Sequence, residues 1–187
     1  MEQIRPNILL YHCNDTERCE RYIENKEYII ESVEDGKWLG TGMYFWDNIS
    51  NALYWFNEKK RKNRDGVFAI VMSQVYIDRL LDLSCQRTCD RLDDLWKVYC
   101  EKVNRRVEAT LGEKINVLFK EYHDLLGEKY YILKIHGHYP RYHTKFVYYN
   151  KTDNSPQPTD KIKDVYCVRN RDCIISRKRV NNQEKII

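Results

Sequence analysis

The chain has 187 residues, of which 42% are apolar and 32% charged, a balance that excludes a fibrous or wholly disordered protein and predicts one globular domain over residues 1–187. The formal net charge is only +4, so attraction to nucleic acid would have to come from local basic patches. We see no basic segment followed by an apolar run at the start and no apolar run of the roughly 18 residues of a membrane span, so we expect a cytoplasmic protein without membrane contact.

The cysteines do not favour a metal site. There are seven, an odd number that suits free thiols in a reducing compartment. Cys85 and Cys89 lie four residues apart, with His136 and His138 farther along, but no C-x2-C pair accompanies them. We therefore predict no metal.

The first third of the chain begins with an apolar run at 8–11 that ends at His12, which predicts a buried strand with a polar residue at its mouth. Asn14 and Glu17 have the spacing of a capping box and predict a short helix next. Residues 28–30 predict a second short strand.

The stretch 39–46, Leu-Gly-Thr-Gly-Met-Tyr-Phe-Trp, follows a turn predicted at 34–36. Gly40 and Gly42 let the backbone turn or approach a ligand closely, and they lead into an apolar strand that carries Tyr44. This stretch is the first candidate for a ligand site.

A helix is predicted over 50–62, because Asp47 and Asn48 are good N-cap residues, and a strand follows at 67–71. The charged run at 57–65 predicts a solvated helix end, with phosphate contact as the alternative.

The middle of the chain predicts helices alone. Apolar and aromatic residues recur at three- and four-residue steps over 87–109 and again over 115–127. Stripes of this kind are typical of core packing, so we expect a helical insertion at about 86–127 that carries no chemistry.

The last third returns to strands, which we predict at 130–135, 145–149, 164–168 and 172–176. The last two are expected to form a hairpin or one bent strand, a loop is predicted at 150–161, and the tail at about 181–187 is expected to be flexible. Two groups of strands separated by helices indicate an α+β fold rather than a doubly wound parallel sheet.

Three motifs lie in order on the predicted strands: Leu10-Tyr11-His12, then Gly40-Thr41-Gly42-Met43-Tyr44-Phe45-Trp46, then Tyr166-Cys167-Val168-Arg169-Asn170. Together with the helix bearing Ala52 and Trp55, they resemble the ADP-ribosyltransferase-like superfamily, in the His-Tyr-acid branch that includes diphtheria toxin and poly-ADP-ribose polymerases. The resemblance covers roughly the first 75 and the last 40 residues. It implies a split β-sheet core with the helical middle inserted, and NAD as a co-substrate.

The resemblance also implies roles for particular residues. Tyr44 would stack on the nicotinamide ring, His12 would hydrogen-bond a ribose hydroxyl, and the backbone of Cys13 would bind the carboxamide. Further cofactor contacts would come from Gly40 and Gly42, whose backbone would approach the dinucleotide, and from Tyr54, which would cover the other side of the ring.

The third position of the signature, an acid or glutamine in this family, falls at or beside Asp164 and Val165. Asp164 opens its predicted strand and is the first candidate for the catalytic acid, and Asp172 is the alternative. A carboxylate there would stabilise the oxocarbenium-like ribose cation or activate the acceptor.

We therefore expect a bacterial ADP-ribosyltransferase that acts as a toxin or anti-phage defence effector and has an antitoxin partner. RNA or DNA is somewhat favoured over protein as the acceptor, because basic and aromatic residues interleave at Arg141, Tyr142 and Lys145. The basic clusters at 59–64 and 169–179 allow nucleic acid but do not select it over protein. The alternatives are a catalytically inactive binding module of the same fold, for nucleic acid or a protein partner, and an NAD glycohydrolase.

Overall fold

The computed structural model describes residues 4–32, 38–139, 159 and 161–181. Within this part of the chain, four α-helices pack against a mixed β-sheet of seven strands, so the predicted α+β class is confirmed. The turn predicted at 34–36, the strand at 145–149, and nearly all of the predicted loop and tail lie outside the described residues.

The strands are β1 (Asn7–Asp15), β2 (Met43–Trp46), β3 (Phe68–Tyr76), β4 (Leu80–Asp82), β5 (Ile132–His138), β6 (Ile162–Val168) and β7 (Ile174–Arg179). They lie in the sheet in the order β4-β5-β6-β2-β1-β3-β7. Strands β4 and β5 run parallel, and the other neighbouring pairs run antiparallel.

The sheet opens at its centre, between β1 and β2. Strand β1 pairs with β3 along its whole length, from Asn7↔Tyr76 to Asp15↔Phe68. With β2 it shares, in the described residues, a single registered pair, Tyr11↔Trp46. The strands separate beyond that pair and leave a gap between residues 12–15 and residues 43–45.

The helices are α1 (Thr16–Glu24), α2 (Ile49–Lys62), α3 (Gln86–Lys102) and α4 (Leu111–Glu121), and a π-helical turn, His123–Gly127, follows α4. Helix α2 begins as predicted, because the side chain of Asn48 accepts a hydrogen bond from the backbone N–H of Asn51 at 3.0 Å. The capping box predicted for α1 is wrong. Its N-cap is Asp15, and the Asn14 side chain instead accepts from the backbone N–H of Asp15.

Helix α3 ends at Lys102, well before the predicted 109. Asn104 adopts a left-handed backbone with φ of 50°, which ends the helix. The indole N–H of Trp96 then donates to the carbonyl of Val107 at 2.7 Å and fixes the following segment against the helix. Amphipathic spacing alone could not show that the helix ends here and that the chain folds back against it.

Residues 28–30 form no strand, in contrast to the prediction. Arg177 of β7 donates hydrogen bonds to the carbonyls of Tyr22, Asn25 and Tyr28, so this backbone is satisfied outside the sheet. The segment then meets the sheet through an isolated bridge between Ser32 and Gly42.

The predicted hairpin over 164–176 is also wrong. Strands β6 and β7 are separated in the sheet by β2, β1 and β3. The three-residue strand β4 was not predicted, because so short an element carries too little periodic signal.

The core lies on both faces of the sheet, in three groups of buried side chains. One group includes Leu10, Tyr22 and Phe45 beneath α1, a second includes Trp96 and Leu133 beneath α3 and α4, and a third includes Ala52 and Ile70 beneath α2. None of the helices in the described ranges combines the length and apolar character needed to cross a bilayer.

Candidate functional site

A cleft of about 810 Å³ occupies the gap between β1 and β2, within the size range of small-molecule sites. Its walls come from β1, β2, α1, α2, the segment after α1, the end of β5 and the middle of β6. The lining residues are His12, Cys13, Asn14, Asp15, Arg18, Ile30, Glu31, Ser32, Trp38, Tyr44, Trp46, Trp55, Lys59, Tyr139 and Val165.

His12 bridges the two separated strands. Its Nδ1–H donates to the backbone carbonyl of Tyr44 at 2.6 Å, and Asn14 Nδ2 lies 3.2 Å from its Nε2. Burial lowers the pKa of His12 from 6.5 to about 4, so the ring is neutral at pH 7. Because a carbonyl can only accept, Nδ1 carries the proton, and Nε2 is the acceptor for the amide N–H of Asn14.

Tyr44 is held through its hydroxyl. The phenol donates to the carbonyl of Gly40 at 2.6 Å and accepts from the backbone N–H of Leu39 at 2.9 Å. The hydroxyl is therefore committed to the loop, and what Tyr44 offers a ligand in the cleft is its ring.

The loop that holds Tyr44 is fastened to α4 and to the end of β6. Asn116 Oδ1 accepts from the backbone N–H of Thr41 at 2.8 Å, and the Arg169 guanidinium donates to the carbonyl of Thr41 at 2.8 Å and to Asn116 Oδ1 at 3.1 Å. Arg169 also lies over the Phe119 ring at 4.6 Å. Arg169 of the third motif therefore holds in place the loop of the second motif, which contains Thr41.

The two glycines of the loop are required by packing against protein. Gly40 has a left-handed φ of +76°, and a Cβ there would lie 2.4 Å from Asn116 Oδ1. A Cβ on Gly42 would lie 2.5 Å from Cys167 Sγ. Neither glycine lines the cleft, and both seat the loop against protein; their approach to a dinucleotide stays a prediction.

Four aromatic side chains form a continuous series along the cleft. Trp38 stacks on Tyr139 at 6.5 Å between ring centroids, Tyr139 meets Trp46 edge-on at 6.0 Å, and Trp46 stacks on Trp55 at 6.1 Å. Planar π-faces of this kind bind flat rings such as nicotinamide or nucleobases. The sequence contains four tryptophans and fifteen tyrosines, but their spacing does not show which of them meet in the folded chain.

The cleft contains charges of both signs. Its carboxylates are Asp15 and Glu31, and its cations are Arg18 and Lys59. Asp15 and Arg18 are 3.9 Å apart on the surface. Together with the aromatic series, this lining matches a ligand that carries rings, a cationic centre and phosphates.

The predicted catalytic acids do not line the cleft. Asp164 points instead to β5, where it contacts His136 at 2.5 Å and Lys134 at 3.3 Å. Val165, the next residue, pairs with Trp46 and lines the cleft in its place. Neighbouring strand residues face opposite sides of a sheet, so a one-residue difference in register exchanges an acid for a valine.

Asp172 lies in a short 3-10 turn, Arg171–Cys173, at the start of β7. That end of β7 pairs with Val75, which in turn pairs with Ile8 at the opposite end of β1 from His12. The alternative acid is therefore remote from the cleft.

Of the other residues predicted to contact the cofactor, one lines the cleft and one does not. Cys13 lines the cleft beside His12, whereas the Tyr54 side chain is 54% exposed and lies outside it. The adjacent Trp55 lines the cleft. Arg141, Tyr142 and Lys145 lie outside the described residues.

No family model matches the chain, and no solved structure matches it significantly. An uncharacterized protein from Methanocaldococcus jannaschii is 37% identical over 81 residues, which is 41% of this chain and 37% of that protein. The chain thus aligns with little more than a third of that relative's length, and the relative's description names no activity.

Proposed function

We propose that the protein is an ADP-ribosyltransferase that binds NAD in the cleft between β1 and β2 and transfers ADP-ribose to a macromolecule. The observation that carries this proposal is the pairing of His12 with Tyr44. These residues stand 32 positions apart in the sequence, and a 2.6 Å hydrogen bond joins them on one wall of an aromatic cleft. This is the pair that the motif resemblance selects.

NAD suits the groups that line the cleft. The Tyr44 ring, fixed through its hydroxyl, packs against the nicotinamide. A ribose hydroxyl replaces the amide N–H of Asn14 as the donor to the neutral Nε2 of His12. Arg18 and Lys59 lie in the same lining and attract the pyrophosphate. A charged His12 would lose the acceptor at Nε2, so the lowered pKa preserves this contact at neutral pH.

The carboxylate role belongs in this proposal to Glu31 or Asp15, the acids that line the cleft, rather than to Asp164 or Asp172. A carboxylate near the ribose stabilises the positive charge that develops at its anomeric carbon. The bond from that carbon to the nicotinamide nitrogen breaks, and its electron pair leaves with neutral nicotinamide. A lone pair on an acceptor oxygen or nitrogen forms the new bond, and the acceptor's proton passes to the carboxylate or to solvent.

Calorimetric titration with NAD tests binding directly. We expect wild-type protein to bind NAD, Tyr44→Ala to weaken binding about tenfold through loss of ring stacking, and Tyr44→Phe to keep most of the affinity. Tyr76→Ala, on β3 outside the cleft, is the matched control and should bind as wild type. Equal affinity in wild type and Tyr44→Ala would refute the proposal.

A catalytically inactive binding module is the second candidate, and Val165 favours it. Val165, the residue after the predicted acid Asp164, lines the cleft with an apolar side chain that is 4% exposed. A catalytic carboxylate was expected at this place. Such a module would bind its ligand without releasing nicotinamide from NAD. A role as a toxin or defence effector with an antitoxin remains part of the first proposal.

A further inference from the structure

The aromatic series of the cleft continues onto the surface of α2. Trp55, 37% exposed, stacks on Trp46 inside the cleft, and Tyr54, 54% exposed, meets Trp55 edge-on at 5.8 Å. Burying large rings usually stabilises a fold, so two adjacent exposed rings joined to a ligand cleft suggest a binding surface.

The same helix places positive charge beside these rings. Trp55, Lys59 and Lys62 stand at i, i+4 and i+7, which puts them on one face of α2. Lys59 lines the cleft and Lys62 is exposed. The acidic residue of α2, Glu58, is neutralised by Arg61 at 2.7 Å, so the face is basic.

We propose that Tyr54, Trp55, Lys59 and Lys62 form an acceptor ledge that binds single-stranded nucleic acid. Bases stack on the two rings, phosphates contact the two lysines, and the strand leads one base along the aromatic series into the cleft. Unpaired bases are required, because rings within a duplex present only their edges. The proposal names the acceptor of the proposed transfer and rests on that function only for the transfer step, since the ledge binds without NAD.

Fluorescence anisotropy with labelled oligonucleotides of about 16 nucleotides, in the absence of NAD, tests the ledge. We expect oligo(dT) or oligo(U) to bind more tightly than a duplex of equal length. Tyr54→Ala and Trp55→Ala should each weaken single-strand binding about tenfold, whereas Tyr54→Phe and Trp55→Phe should keep most of it. Tyr54 is the safer site, because its exposed ring can be removed without opening the core.

The lysine contacts have their own signature. Lys62→Ala should reduce the slope of log affinity against log salt by about 0.7, the value for one phosphate contact on a single strand. Lys102→Ala is the matched control, since it removes the same charge from the exposed last turn of α3 and should leave the slope unchanged.

Three results would overturn the ledge: equal binding of single strand and duplex, equal competition by a polyglutamate peptide, or unchanged affinity in both alanine variants. Absence of oligonucleotide binding while NAD still binds would also overturn it and leave the proposed function intact. Oligonucleotide binding that depends on the ledge, in a protein that binds no NAD, would support the ledge and count against the transferase instead.

Discussion

His12 is the residue whose chemistry the structure defines most closely. Its Nδ1–H is fixed on the carbonyl of Tyr44, and burial lowers its pKa to about 4, so the folded protein resists protonating it. The sequence placed this histidine at the mouth of the first strand, whereas β1 continues past it to Asp15. Its tautomer and its neutral state required the separation of β1 from β2, which no pattern within one strand could reveal.

The lowered pKa of His12 predicts a pH dependence of stability. Between about pH 6.5 and pH 4 the unfolded chain binds a proton that the folded ring refuses, so the free energy of unfolding falls as the pH drops through this window and levels off below it. Urea denaturation at several pH values measures this slope. His12→Gln should make it shallower, because glutamine binds no proton in this window; identical slopes in wild type and His12→Gln would contradict the assignment.

At the scale of elements, the loop 39–42 that holds Tyr44 is the feature whose contacts the sequence predicted least well. The ligand role predicted for Gly40 and Gly42 rested on their conformational freedom and on the motif resemblance. In the structure they face Asn116 and Cys167, and Asn116 belongs to a helix to which no role was assigned. Contacts between distant segments decide such a role, and composition does not encode them.

Gly40→Ala should lower the free energy of unfolding by about 2 kcal/mol, because the new Cβ combines a left-handed backbone with contacts to Asn116 Oδ1 at 2.4 Å and Gly112 O at 2.9 Å. Chemical denaturation measures this loss. Gly127→Ala is the control, since its Cβ would meet only the movable side chain of His123. An equally small loss of unfolding free energy in both variants would contradict this, because it would mean that the loop 39–42 adjusts to the added Cβ at little cost.

The elements themselves were predicted unevenly, for physical reasons. Helix α2 was predicted closely because Asn48 marks its start with a local hydrogen bond. The end of α3 was missed because Trp96 and Asn104 turn the chain back there, against the amphipathic pattern. Asp164 was preferred to Val165 because its sequence position opens a strand, whereas the register with Trp46 decides which side chain faces the cleft.

At the scale of the whole molecule, the cleft gathers residues from both ends of the chain. Most of its lining lies between His12 and Lys59, and Tyr139 and Val165 complete it from the C-terminal strands. The first two motifs contribute His12, Tyr44 and Trp46 to the lining, and the third motif contributes none of its residues. The aromatic series and the cleft carboxylates Asp15 and Glu31 were not predicted. These residues are distant in the sequence and line one cleft only in the folded chain.

Transfer of label from NAD tests the central claim most directly. Purified protein is incubated with a bacterial lysate and NAD labelled in its ADP-ribose half, and released nicotinamide is measured with the label on macromolecules. We predict both products, a loss of at least about 100-fold in Tyr44→Ala and in one of Glu31→Gln and Asp15→Asn, and near-wild-type transfer in Asp172→Asn. Nicotinamide release without macromolecular label would point to the glycohydrolase, and absence of both products, or full activity in Tyr44→Ala, would contradict the account.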